Sequence, residues 1–270
     1  MRLLEMRSRF PIIRGKLRSR SQKKIGFMKK LIKGLRQFQS GYFSTHHELF
    51  EQLAHGQKPR ALFITCSDSR IDPNLITQAG VGELFIIRNA GNMIPPFGAT
   101  NGGEGAAVEY AVHALGIDQI VVCGHSHCGA MKGLLKLDKL AEEMPLVYEW
   151  LKHAEATRRL VKDNYTNLDG EELLDATIAE NVLTQIENLR TYPVIRSKLH
   201  RKQLSLHAWV YQIESGQVLE YDPVLHEFAA PYSELPSYDD QPVVSNTERI
   251  PSMRLSSEQA ERIYRGSAAK

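Results

Sequence analysis

The chain is 270 residues long, 42% apolar and 24% charged, a length and balance that suit a soluble globular body with a substantial core. No apolar run approaches the ~18 residues that span a bilayer, and no secretory signal pattern opens the chain. Its three cysteines are too few for a disulfide framework and suit a reducing, cytoplasmic compartment with free thiols. The net charge of +3 sits at one end: residues 1–30 hold eleven Lys and Arg against Glu5 alone, which leaves a mildly acidic body. A nucleic-acid footprint on that body is not expected.

The opening "MRLLEMRSRFPIIRGKLRSRSQKKIGF", residues 1–27, reads as a basic leader, disordered or dispensable, outside the domain that follows. Next, "MKKLIKGLRQF" places Leu31, Ile32, Leu35 and Phe38 at amphipathic helix spacing. "THHELFEQLAHG" predicts a short helix opened by a Thr45-x-x-Glu48 capping box. "RALFITC" is a buried strand. "DPNLITQAG" is a helix with Asp72 as N-cap and Pro73 in its first position. "ELFIIRN" is a second strand, "GGEGAAVEYAVHALG" a small-residue helix closed by Gly116, and "DQIVVCG" a third strand.

Two longer helices are expected around residues 144–162 and 170–190, then a hairpin in "LSLHAWVYQIESGQVLEYD" turning at Ser215-Gly216. Strand–helix alternation with short apolar strands predicts an α/β fold: a mainly parallel central sheet flanked by helices on both faces, with a C-terminal hairpin. The domain is expected over 28–228. Beyond it, residues 229–270 are proline- and polar-rich and read as a flexible tail. It carries "SSEQAERIYRGS", a short helix with Ser256-x-x-Gln259 as its start. A helix that short is not stable alone in water, and on a linker it reads as a docking peptide.

The chemistry-bearing stretches are "ITCSDSRIDP" and "IVVCGHSHCGAMKG", each just past the C-terminal end of an expected parallel strand. Ligands of open α/β sheets bind in the crevice at those ends, so the two turns can meet although some sixty residues separate them. Cys123 closes the apolar run of its strand and is expected in the core. His127 adjoins Cys128, and neighbouring side chains diverge. His125 and Cys128, three apart across a glycine-flanked turn, can converge on one ion with Cys66.

Two thiolates and an imidazole suit zinc, and three protein ligands suggest a catalytic site with an open position. A closed structural site remains the alternative if Asp68 fills the fourth place. Asp68 lies two residues after Cys66, and Arg70 can hold it through a bidentate ion pair. Asp68 is thus placed either to ligate the ion or to release it and admit water. Rival chemistries fit less well. The spacing from Cys66 to Arg70 is C-x3-R rather than the C-x5-R of a cysteine phosphatase loop. A Cys66–His125 hydrolase pair leaves Cys128 idle, and no dinucleotide or ATP fingerprint is present.

Taken together and in order, "CSDSR", "RNAGN", "GGEGAAVEYAV" and "VVCGHSHCGAMKG" resemble the β-class carbonic anhydrases over roughly residues 28–228. The wording is nearest to the carboxysomal members from cyanobacteria, whose C-terminal extension is similar to "EQAERIYRG". The resemblance implies reversible hydration of carbon dioxide to bicarbonate and a proton, one zinc per chain, and a homo-oligomer built from dimers. It implies Cys66, His125 and Cys128 as zinc ligands, with Asp68 and Arg70 as the dyad beside the metal.

Gln57 matches a glutamine that hydrogen-bonds substrate or bicarbonate, while Phe85 and Tyr110 match aromatics lining the apolar substrate pocket, in part across the dimer. Ala90 stands where that branch often has valine. The carboxysomal likeness implies a location inside the carboxysome, where the enzyme would supply carbon dioxide, and a scaffold protein held through the tail. The rival from another functional class is a scaffold-binding component whose zinc site is idle or gated by assembly.

Overall fold

In the computed structural model the described residues are 14–99 and 102–231, with residues 14–25 described by their backbone alone. The expected C-terminal docking helix lies outside the described residues. The chain divides into two compact units at Gln57/Lys58.

In the N-terminal unit, helix α1 (Arg14–Gln37) runs through the expected boundary at residue 27 into a wider π-type stretch, Phe38–Phe43. Helix α2 (His47–Ala54) follows. Leu31, Ile32 and Leu35 lie on α1 as their spacing predicts, and all three are exposed. Phe38, Tyr42, Phe43 and Phe50 pack on one another, mostly edge-on or tilted, with ring centroids 5.0 to 6.3 Å apart. The expected capping box does not form. The Thr45 hydroxyl donates backwards to the Gly41 and Tyr42 carbonyls, and His46 takes the N-cap position with no side-chain cap.

Among its described residues the C-terminal unit is built on six strands: β1 (Ala61–Cys66), β2 (Leu84–Asn89), β3 (Gln119–His125), β4 (Ser205–Tyr211), β5 (Val218–Asp222) and β6 (Glu227–Ala229). Their order in the sheet is β2-β1-β3-β4-β5-β6. The first four are parallel, and β4, β5 and β6 are antiparallel. Nearly every residue of β1 and β3 is buried, as continuous apolar runs require when both faces of a strand are covered. Strand β2 alternates along its last four residues, as suits a sheet edge. The antiparallel turn falls at Gly216, whose φ of +73° needs no side chain. Strand β6 was not expected from the sequence, being only three residues long.

Helices α3 (Pro73–Thr77) and α4 (Gly103–Glu109) follow β1 and β2. Asp72 caps α3 as expected, accepting from the Leu75 N–H. Helix α4 widens into a π-type turn, Tyr110–Ala114, before Gly116 stops it at φ +73°. After β3 come α5 (Gly129–Leu134), α6 (Leu140–Glu143), α7 (Pro145–Leu151), α8 (Glu155–Asn164), α9 (Gly170–Arg190) and α10 (Pro193–His200). The helix expected over 144–162 is broken into α7 and α8 by a 3₁₀ turn at Lys152–Ala154. Helix α9 matches its expected span and packs on β3 and β4. A Cβ at Gly124 would lie 2.8 Å from Val182 Cγ2, so glycine lets α9 press against the end of β3.

Helix α9 also buries Glu180, whose Oε1 accepts from the Tyr165 hydroxyl at 2.6 Å, while Oε2 has no hydrogen-bond partner among the described residues. Burial pushes this carboxyl up from 4.5 to about 7. Between those values the folded chain holds a proton that the unfolded chain has released, so stability falls as pH rises through the window. Glu180→Gln keeps the acceptor for Tyr165 and removes the charge. It is expected to raise the melting temperature at pH 8, by up to about 3 kcal/mol of stability, and to leave it unchanged at pH 4. Equal melting at pH 8 would count against a buried charge at this position.

Candidate metal centre

Strand order places the candidate ligands. The chain leaves β1 toward β2 on one side and leaves β3 toward β4 on the other, so a crevice opens between the carboxyl ends of β1 and β3. Cys66 is the last residue of β1 and His125 the last of β3. Thr65 pairs with Cys123, which sets the two ends nearly level. Cys128 takes the N-cap position of α5. The turn between them needs a left-handed residue, which is His127 at φ +55°, and this swings the His127 side chain outward to Glu171 at 3.1 Å and Glu214 at 3.6 Å. The Ser126 hydroxyl donates to Glu214 at 2.7 Å, and its N–H to the Tyr211 carbonyl at 2.9 Å, fastening the turn to β4 and the strand-end loop after it.

Cys66 Sγ, Cys128 Sγ and a ring nitrogen of His125 lie within 4.8 Å of one another, all three residues buried. The sulfurs are 4.0 Å apart, close to the roughly 3.8 Å that two zinc–sulfur bonds of ~2.3 Å at a tetrahedral angle require. His125 Nδ1 sits 2.9 Å from the Ser126 carbonyl. A carbonyl can only accept, so Nδ1 carries the proton and Nε2 presents its lone pair. Nε2 is buried and without a hydrogen-bond partner among the described residues, as fits a nitrogen meant for an ion. Cys123 is fully buried in the core as expected and stands apart from this group.

Asp68 is gripped by Arg70, whose Nε donates to Oδ1 at 2.9 Å and Nη2 to Oδ2 at 2.7 Å, with the Arg70 N–H adding a third bond to Oδ1. The guanidinium also reaches the His127 carbonyl at 3.1 Å. This grip holds the Asp68 carboxyl well below the usual carboxylate range. Oδ2 stands 3.9 Å from His125 Nε2, beside the three donors and outside their group. The neighbouring Cys128 thiol holds Cys66 below its ordinary range, with help from the Gly91 N–H. The same contact, together with burial, pushes Cys128 up.

A cavity of about 260 Å³ opens beside Cys66 and Asp68, with Ala90, Gly129, Val147 and Leu151 in its mostly apolar wall. Phe85 and Tyr110 meet at a centroid distance of 6.1 Å, with Tyr110 half-exposed, and neither belongs to that wall. Gln57 is exposed and ends the N-terminal unit. A larger hollow of about 530 Å³ lies elsewhere, among Lys132, Lys162 and Leu173, and none of the candidate ligands lines it.

Sequence reading missed Arg88, which gathers the Cys66, Asp68 and Ile71 carbonyls with one guanidinium at 3.1, 2.7 and 2.9 Å and so folds the "CSDSR" loop. Its only signal was its place at the end of β2, inside "RNAGN". It also missed Trp150 and Asn181, which hold the loop after β2.

Comparison with known proteins agrees with this arrangement. A family model described as carbonic anhydrase matches residues 61–218. The chain is 59% identical over 273 residues to a carbonic anhydrase of Synechocystis sp., across 89% of this chain and the whole of that one. The solved structure of the β-carbonic anhydrase CcaA is 69% identical and superposes with a TM-score of 0.75, over 76% of this chain and all of that chain. A tetrameric β-carbonic anhydrase of Sordaria macrospora is 27% identical, with a TM-score of 0.66 over 72% of this chain and 96% of that one. Six strands in this order, the Cys66–His125–Cys128 convergence at their ends and these relatives agree: the chain belongs to the β-class carbonic anhydrases.

Proposed function

We propose that the protein is a zinc-dependent enzyme for the reversible hydration of carbon dioxide to bicarbonate and a proton, with Cys66, His125 and Cys128 holding one zinc per chain. The observation that carries this reading is the buried group of three donors with His125 Nε2 turned to them and otherwise unpartnered. When bound there, zinc supplies the Lewis acidity that makes water a nucleophile near neutral pH.

The chain's own residues do the rest. Asp68, ionised at any working pH and fixed by Arg70, accepts a hydrogen bond from the attacking water and selects its orientation. The apolar cavity beside Cys66 excludes bulk water and admits a small apolar molecule such as carbon dioxide. Ala90 lies in that wall, and its small side chain leaves the pocket wider than a valine would. The family likeness further assigns the Gln57 amide to the bicarbonate oxygen, and Phe85 and Tyr110 to the apolar side of the substrate, in part across a dimer. Assembly from dimers has support in the tetrameric Sordaria macrospora relative.

A location in the carboxysome, and docking to its scaffold through residues 229–270, rest on the likeness of "EQAERIYRG" alone. The test is stopped-flow carbon dioxide hydration on the purified full chain and on a chain ending at residue 230, with zinc measured on the same samples. Fast hydration and about one zinc per chain are expected in both, with capture by carboxysome scaffold lost in the shorter form. Zinc without hydration would overturn the catalytic reading, and equal capture without the tail would overturn the docking.

A further inference from the structure

The loop 90–97 follows β2 and is held almost entirely by side chains reaching its backbone. Gln185 Oε1 accepts from the Ile94 N–H at 2.8 Å, Asn188 Nδ2 donates to the Ile94 carbonyl at 3.0 Å, and the Tyr192 hydroxyl donates to the Pro95 carbonyl at 2.9 Å. Asn181 Nδ2 donates to the Gly91 carbonyl at 2.9 Å. These residues recur at three- and four-residue steps along one side of α9 and just past its end, so a single rail fixes the loop.

Asn89 adds two bonds to the Met93 backbone from the end of β2, and one further bond comes from α7. Trp150 Nε1, on α7, donates to the Ala90 carbonyl at 2.8 Å. That carbonyl belongs to the same peptide unit as the Gly91 N–H, which points at Cys66 Sγ from 3.4 Å. The unit is trans, so its oxygen and its N–H face opposite ways, one taken by the indole and the other by the sulfur. Gly91 sits at φ +84°, and a Cβ there would lie 2.8 Å from Met131 Cε and 3.2 Å from Ala130 Cβ. The backbone can approach the thiolate this closely only because position 91 is glycine.

We infer that Trp150 is a positioning residue for the metal centre: its indole N–H orients and polarises the Ala90–Gly91 peptide, whose N–H in turn draws charge from the Cys66 thiolate. Hydrogen bonds in series strengthen one another, by roughly 10–30% per bond, and partners behind a metal ligand tune how strongly it donates. The inference rests on Cys66 being a zinc ligand. Asn188 supplies the internal control, because it fastens the same loop at Ile94 with no bond to the Ala90–Gly91 peptide.

The experiment loads the full chain, as wild type, Trp150→Phe and Asn188→Leu, with cobalt(II), and reads the sulfur-to-cobalt charge-transfer band. Zinc affinity against a chelator and the melting temperature are measured on each. Loss of the relay leaves a more electron-rich thiolate, so Trp150→Phe moves the band to lower energy, while loss of the bond that orients the Ala90–Gly91 peptide lets the ligand loosen and weakens zinc about tenfold. Asn188→Leu lowers melting and leaves the band where it was. An unmoved band with unchanged zinc affinity in Trp150→Phe overturns the relay, as does an equal shift in Asn188→Leu.

A wild type with no such band overturns the zinc reading itself, and the relay with it. Should Trp150→Phe fail to fold, the wild type loaded with cadmium-113 decides: coupling of the metal to the Gly91 amide proton through Cys66 Sγ is expected, and its absence refutes the hydrogen bond.

Discussion

Asp68→Asn is expected to lower carbon dioxide hydration by about 10²-fold or more while zinc stays bound, the range lost when a positioned proton-handling group is removed. The amide is nearly isosteric and can still accept from the Arg70 N–H and Nε, so the loop should keep its shape. It no longer carries the charge that Arg70 compensates, and it sets an N–H₂ donor where an acceptor faces the ligand group 3.9 Å away. Because Arg70 holds the native carboxyl well below its usual range, Asp68 stays ionised across any practical assay pH. The defect should therefore be uniform with pH rather than confined to one limb of the profile. Stopped-flow rates with zinc determined per chain check this, and near-normal turnover at full zinc would remove Asp68 from the mechanism.

Cys128→Ser is expected to cost the metal itself. Cys128 takes the N-cap position of α5 and is almost completely buried. Serine is a favoured cap, so the helix start should survive. A neutral hydroxyl is a poor zinc ligand where a thiolate stood, and two donors remain of three. After dialysis against a chelator the variant should carry little zinc, hydrate carbon dioxide at background rate, and melt like metal-free wild type, because bound metal adds to folding stability only where it binds. One zinc per chain after that dialysis would mean that Cys128 does not hold it.

The convergence of Cys66, His125 and Cys128 was legible because it depends on one rule, that parallel strands present their ends to a common crevice, and on two short turns readable as turns. Asp72 and Gly116 were legible for similar local reasons. What escaped involves side chains whose partners are distant backbone atoms. Trp150 bonds a carbonyl sixty residues earlier and Asn181 one ninety residues earlier, and no spacing along the chain announces such a pair. The break between α7 and α8 escaped for the opposite reason. "WLKHAEA" is mostly good helix formers, with no Gly or Pro to announce a break, and tertiary packing overrode their propensity. At Thr45 a correct motif was outbid by nearer carbonyls in the preceding turn.

The burial of Cys123 has a practical consequence. Its thiol is sealed in the sheet and pushed far above its ordinary range by desolvation, so a thiol-specific reagent meets almost no thiolate there. Of the three sulfurs only Cys66 is held below its ordinary range, so it is the one expected to react in the folded chain. A plain colorimetric thiol count on native protein should thus give silence when the proposed zinc is bound and one sulfur when it is stripped, with the two buried, raised thiols appearing only on unfolding.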